Sequence, residues 1–135
     1  MKTKKKEKKK ETDGVSVKFP SNLLFPVGKL LSWRLSSLEK KKKSIEEEDP
    51  FKDTERLNDN ASPDADAAEQ FGHARSTALK NELGKKIVQT KKALTNIKYG
   101  TYGICADCKK MINTDRLMVY PEATLCVSCE AKREK

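Results

Sequence analysis

At 135 residues, 36% of them charged and 36% hydrophobic, the chain has room for one modest domain and a tail and too little apolar material for a broad globular core. The formal charge of +9 is unevenly spread: residues 46–70 carry ten acidic and two basic groups, a net −8, inside an otherwise basic chain. The basic start is not followed by the apolar run of an export signal. The most apolar stretch, residues 19–31, holds two prolines and a lysine and falls short of the roughly 20 apolar residues a membrane span needs. These features predict a cytoplasmic protein with no membrane segment.

Residues 1–21 form a Lys-rich tail without periodicity, expected to be disordered. Its bland role is solubility; its sharper role is a weak electrostatic contact with nucleic acid. A first helix is expected from Pro26, whose fixed φ suits the first turn, to about Asp49, where Pro50 stops it. Leu31, Leu35, Leu38, Lys42 and Ile45 recur at steps of four and three, the mark of a coiled-coil seam. Trp33 lies off that seam and is expected to pack against the apolar start or the C-terminal module.

The acidic stretch follows. Its first part, Glu46–Asp49, ends a helix, where negative charge opposes the macrodipole, and Lys42–Glu46 and Lys43–Glu47 run in the poorer i,i+4 order. Selection for helix stability alone would not put four acids there, so the charge is read as functional. Helix 2 then starts at "SPDADAAEQF": Ser62 as cap, Pro63 in the first turn, Asp64 and Asp66 favourable to the dipole. An approximate stripe of Ala67, Phe71, Ala74, Ala78, Leu83, Ile87, Thr90, Leu94 and Ile97 carries it to about Lys98, across an unfavourable Gly84. Each helix has one apolar face and neither can stand alone. The expected fold is mainly α: an antiparallel coiled-coil hairpin over residues 22–98, with an acidic apex at about 46–66. The lone His73 belongs to a surface or hairpin face.

All four cysteines lie in the last 31 residues, as Cys105/Cys108 and Cys126/Cys129 with 17 residues between the pairs. Each C-x-x-C turn puts two sulfurs on one side of a loop, and two turns complete a tetrahedral S4 shell suited to one Zn(II) per chain. Disulfides are the alternative, and cytosolic chains rarely carry them. Iron is the rival ion, though Lys109, Val127 and Glu130 replace the glycines expected close behind each pair of a rubredoxin-like carrier; colour separates the two. Residues 99–135 are too few to build a core without a metal or staple, so the ion is structural and fills every coordination position. Tyr102, Ile104, Ile112, Leu117, Val119 and Leu125 are the candidate apolar cover. With one His, no nucleophile motif and no phosphate loop, the chain is not expected to be an enzyme.

The run "YGICADCKKMINTDRLMVYPEATLCVSC" resembles the TraR/DksA family of C4 zinc-finger transcription factors through Tyr102, Gly103, Cys105, Cys108, Ile112, Arg116, Leu117, Pro121, Ala123, Cys126 and Cys129. The resemblance implies a monomeric regulator that binds bacterial RNA polymerase, inserts its coiled coil into the secondary channel and brings acidic tip residues near the active-site magnesium. The family's Asp-x-x-Asp-x-Ala tip is matched in its second half by Asp66 and Ala68, with Asp64 displaced by one position. Alarmone-responsive relatives carry an arginine where Tyr120 stands, and many have Gly in place of Lys109. Lys109, Lys110 and Arg116 are the basic surface candidates of the module. The competing function is a nucleic-acid-binding zinc protein using the tail and this surface; phosphates would repel its acidic apex.

Overall fold

The structure, a computed structural model, describes residues 19–52 and 62–134. Four α-helices follow in order: α1 (Ser21–Glu47), α2 (Pro63–Tyr99), α3 (Thr114–Val119) and α4 (Val127–Arg133), with a short 3-10 turn at Pro50–Lys52. α1 and α2 pack side by side. Lys91 pairs with Glu39 at 2.9 Å and Lys80 with Asp49 at 2.9 Å, so α1 numbers rise as α2 numbers fall: the hairpin is antiparallel. At 1.5 Å per residue α2 is about 55 Å long and overhangs α1. The mainly α hairpin with a small cysteine-rich C-terminal module is therefore the observed architecture.

α1 starts five residues earlier than expected and keeps Pro26 inside it. Pro26 points outward, where its missing N–H leaves a carbonyl facing water. The earlier start adds Leu24 to the side packed on the core, beside Val27, whereas Leu23 and Phe25 of the same turn are exposed. The predicted seam residues Leu31, Leu35, Leu38, Lys42 and Ile45 all lie on the buried or half-buried side. Trp33 does not pack as expected: it is 69% exposed.

α2 begins at Pro63 as predicted and runs unbroken through Gly84, ending on Gly100 at φ 70°. Ser62 stands at the N-cap, but its side chain makes no capping hydrogen bond. The predicted stripe is correct only from Leu83 onward. Phe71 is 78% exposed, and Ala67, Ala74 and Ala78 are exposed as well. The face turned to α1 continues from Leu83 as Lys80, Ser76 and His73, at heptad steps through polar residues. Hydrophobicity alone followed the wrong side of the helix there.

The core lies at the base and belongs to hairpin and module together. Leu31 of α1 and Ala93 of α2, both fully buried, join Tyr102, Cys105, Ile112, Leu117 and Ala123 in one cluster. Phe19, placed by sequence in the tail, packs the edge of its ring on Tyr102 at 5.9 Å. Residues 1–18, the rest of the expected tail, lie outside the described residues, as do residues 53–61 of the acidic stretch.

Candidate metal centre and acidic apex

The C-terminal module is built from two tight turns. After Gly100 the chain bends at Gly103, whose φ of 82° suits glycine and whose open face receives the Phe19 ring. The first cysteine pair sits in a loop closed by Cys105 N–H to the Lys110 carbonyl at 2.9 Å, Ile112 N–H to the Gly103 carbonyl at 2.7 Å, and an antiparallel bridge between Ile104 and Met111. Lys109 completes that loop at φ 59°, a left-handed conformation that a side chain disfavours. The second pair opens α4: Cys126 is its N-cap residue and Cys129 lies one turn on. Ala106 N–H to the Thr124 carbonyl, at 3.0 Å, holds the two halves together.

This brings all four sulfurs within 4.8 Å of one another, with Cys108 and Cys126 Sγ 3.7 Å apart. A tetrahedral ion with metal–sulfur bonds of about 2.3 Å needs sulfur–sulfur edges of about 3.8 Å, so the donor set fits Zn(II). The cysteines are free thiols, which sets aside the disulfide alternative. Burial works against a Cys105 thiolate, but the backbone N–H groups of Cys108 and Cys126 outweigh it and bring that thiol down to about 6. Cys129 is pushed up to about 12, first by its contact with Cys126 and then by burial. Four thiols so close cannot all ionise unless a cation shares their charge; a divalent ion here supplies a fixed structural node, with no position left open for chemistry.

Of the predicted cover, Tyr102, Ile112 and Leu117 are buried and Ile104 and Leu125 half-buried, whereas Val119 is 83% exposed at the end of α3. Tyr102 donates its hydroxyl to the Pro121 carbonyl at 2.8 Å, and burial lifts its pKa to about 12. Arg116, taken from sequence as a surface cation, instead bridges α3 to Glu130 of α4. Lys109 and Lys110 are exposed as predicted. Two further ties dock the module on the hairpin: Tyr120 donates its hydroxyl to Gln89 Oε1 at 2.7 Å, and Arg34 pairs with the buried Glu122. Tyr120 therefore has a structural task at the position where the resemblance places an arginine.

Residues 100–135 match the family model described as the prokaryotic dksA/traR C4-type zinc finger. Among solved structures, transcription factor DksA2 from Pseudomonas aeruginosa superposes with a TM-score of 0.65, covering 86% of each chain at 22% identity. A comparison with curated proteins finds no match. The chain thus carries a stretch matching the dksA/traR C4-type zinc finger and shares the fold of DksA2. The chain binds one Zn(II) through that finger, and its other end holds the acidic apex.

At that end the expected surplus of free carboxylates is smaller than the sequence implied. Glu46 and Glu47 pair with Lys42 and Lys43 at 3.9 and 3.8 Å, and the Ser44 hydroxyl donates to Glu48 Oε1 at 2.9 Å. Asp49 is not at the surface at all: only 7% exposed, it contacts His73 Nδ1 and accepts from Lys80 Nζ, each at 2.9 Å. Its hydrogen bonds to His73 and then Lys80 hold its carboxyl far below the usual carboxylate range. Asp64 and Asp66, by contrast, are exposed in the first turn of α2, with no ion-pair partner among the described residues. Ala68 is exposed beside them. Sequence reasoning missed Asp49, His73 and Lys80 as a group. The available signal was the 3–4 spacing of His73, Ser76 and Lys80 with Leu83, which a search for apolar residues passes over. No described helix is long and apolar enough to cross a membrane.

Proposed function

We propose that this chain is a non-enzymatic regulator of bacterial RNA polymerase that acts as a monomer in the cytoplasm. Its zinc-anchored base docks on the enzyme, and its coiled coil enters the secondary channel with Asp64 and Asp66 foremost. There the carboxylates reach the neighbourhood of the active-site magnesium and alter initiation complexes by electrostatics, without covalent chemistry. The observation that carries this reading is the position of two exposed carboxylates, without an ion-pair partner among the described residues, about 50 Å along α2 from the cysteine cluster. The zinc-finger match and the likeness to a solved transcription factor support it.

The nucleic-acid alternative loses ground at the module. Arg116 is engaged by Glu130, and Arg133 by Asp107 through two hydrogen bonds of 2.6 and 3.1 Å. Arg116 is thereby drawn into the module, while Arg133 stays 62% exposed with its ion pair at the surface.

The test is a binding and transcription pair. The zinc-loaded chain should bind bacterial RNA polymerase and change the lifetime of promoter complexes. The double variant Asp64→Asn with Asp66→Asn should bind within about threefold of the parent, because the base supplies the affinity, yet lose most of the effect on transcription. Full regulation by the double variant, or stronger binding to DNA than to polymerase, would reject the proposal.

A further inference from the structure

The two halves of the hairpin are closed by different chemistry. Near the base, Leu31 and Ala93 are fully buried in one apolar cluster, and Leu83 and Ile87 of α2 are buried as well. Beyond Leu83 the same face of α2 offers Lys80, Ser76 and His73, and the last seam position of α1's strand of chain is Asp49. Asp49 is the point where the polypeptide leaves the helix. Glu48 is the C-cap of α1, and the 3-10 turn Pro50–Lys52 starts immediately after Asp49. Its Oδ1 accepts from Phe51 N–H at 3.2 Å and meets His73 Nδ1 at 2.9 Å, while Oδ2 accepts from Lys80 Nζ at 2.9 Å. The Phe51 ring leans on the His73 ring with centroids 4.3 Å apart. One buried carboxylate thus ties the end of α1, the turn that follows, and two places on α2 two helical turns apart.

Stability alone does not call for this arrangement. Apolar residues at positions 49, 73 and 80 would hold two helices together, but apolar contact has no direction and tolerates sliding. Buried charge is weak evidence for stability, and its best-attested use is to specify register. A slip of one turn would move the apex by about 5.4 Å. Asp66 lies seven residues from His73, about 10 Å along α2, so the position of the exposed carboxylates follows directly from where this group is pinned.

We propose that Asp49, Lys80 and His73 form a positioning lock that sets the register of α1 against α2 near the apex and the direction in which the chain enters it, so that Asp64 and Asp66 are presented at a fixed point. The register claim stands on geometry; its effect on transcription rests on the proposed function above. The three side chains are positioning residues and touch no target themselves.

The experiment uses the zinc-loaded full chain with Asp49→Asn and Lys80→Met as lock-breaking variants and Lys80→Arg as the conservative control. Amide hydrogen exchange should accelerate by about tenfold or more over residues 44–49 and 69–80 in both lock-breaking variants, staying within about twofold over residues 83–134, with Lys80→Arg close to the parent. In transcription, the lock-breaking variants should bind polymerase within about threefold of the parent but lose most of the maximal effect, and adding Asp64→Asn and Asp66→Asn should take away little more. Unchanged exchange near the apex overturns the lock. So does acceleration that spreads evenly to the base, or loss of helix and zinc in both variants, because the group would then be a general support of the fold. Full transcriptional effect beside local loosening overturns its positioning role. If the parent itself fails to bind polymerase, the proposed function falls while the exchange result still decides the register claim.

Discussion

Leu31→Ala tests whether the zinc module and the hairpin are one folding unit. Leu31 is fully buried in the cluster that also holds Ala93, Tyr102, Cys105 and Ile112. Replacing its isobutyl group by methyl costs the transfer energy of three carbons plus the cavity, about 2–5 kcal/mol for such sites. The upper half of that range applies. The surroundings are held on one side by two long helices and on the other by loops closed around the cysteines, and neither can collapse inward easily. For a protein of this size each kcal/mol lowers the melting temperature by about 4 °C, so a fall of roughly 15 °C is expected. The sharper readout is zinc affinity by chelator competition. If the module depends on Leu31 for its cover, part of the same cost appears in metal binding, and each 1.4 kcal/mol there weakens zinc tenfold. Leu31→Ala should therefore weaken zinc by about tenfold to a hundredfold. Leu38→Ala, half-buried farther along the stalk, should lower the melting temperature while leaving zinc affinity within about twofold. A Leu31→Ala protein that melts earlier but holds zinc as tightly as the parent would show that the module folds around its ion alone, and the shared core would be a contact without energetic consequence.

Three further outcomes follow from single features. Lys109→Gly should raise stability by about 0.5–1 kcal/mol, since the strain of a side chain at φ 59° exceeds the added freedom of glycine in the unfolded chain; a lower melting temperature would contradict this. Tyr102 has its pKa raised by burial to about 12, so the folded chain holds that proton longer than the unfolded one. Its contribution is complete below about pH 10 and fades as the pH rises toward 12, by up to about 2–3 kcal/mol, a slope that Tyr102→Phe should remove from melting curves of the zinc-loaded protein. Chelation of zinc should melt the turns at residues 101–113 and expose Tyr102 and Leu117, visible as lost near-ultraviolet dichroism, while much helical signal from α1 and α2 remains; unchanged tertiary signal after metal loss would refute the structural role of the ion.

What the sequence determined by itself was what depends on local spacing. The two C-x-x-C pairs specify a four-sulfur site because a tight turn fixes two sulfurs whatever surrounds it. Pro63 and Gly100 bracket α2 because their backbone restrictions act within one turn. The seam of α1 was legible for the same reason: most of its residues are apolar. Tertiary structure alone decided three other matters. It placed Trp33 and Phe71 in solvent and Phe19, half-buried, against the core, because burial depends on what a distant segment brings. It turned Arg116 from a candidate surface cation into a tie to Glu130, and it tied Tyr120 to Gln89. And it took Asp49 out of the acidic surface and buried it against Lys80 and His73, while Asp64 and Asp66 stay exposed with no ion-pair partner among the described residues. A charge in a sequence has a sign and a position. Whether it faces water or spends itself on a neighbour is settled only when two helices meet, since the partner that neutralises it lies 24 or 31 residues away along the chain.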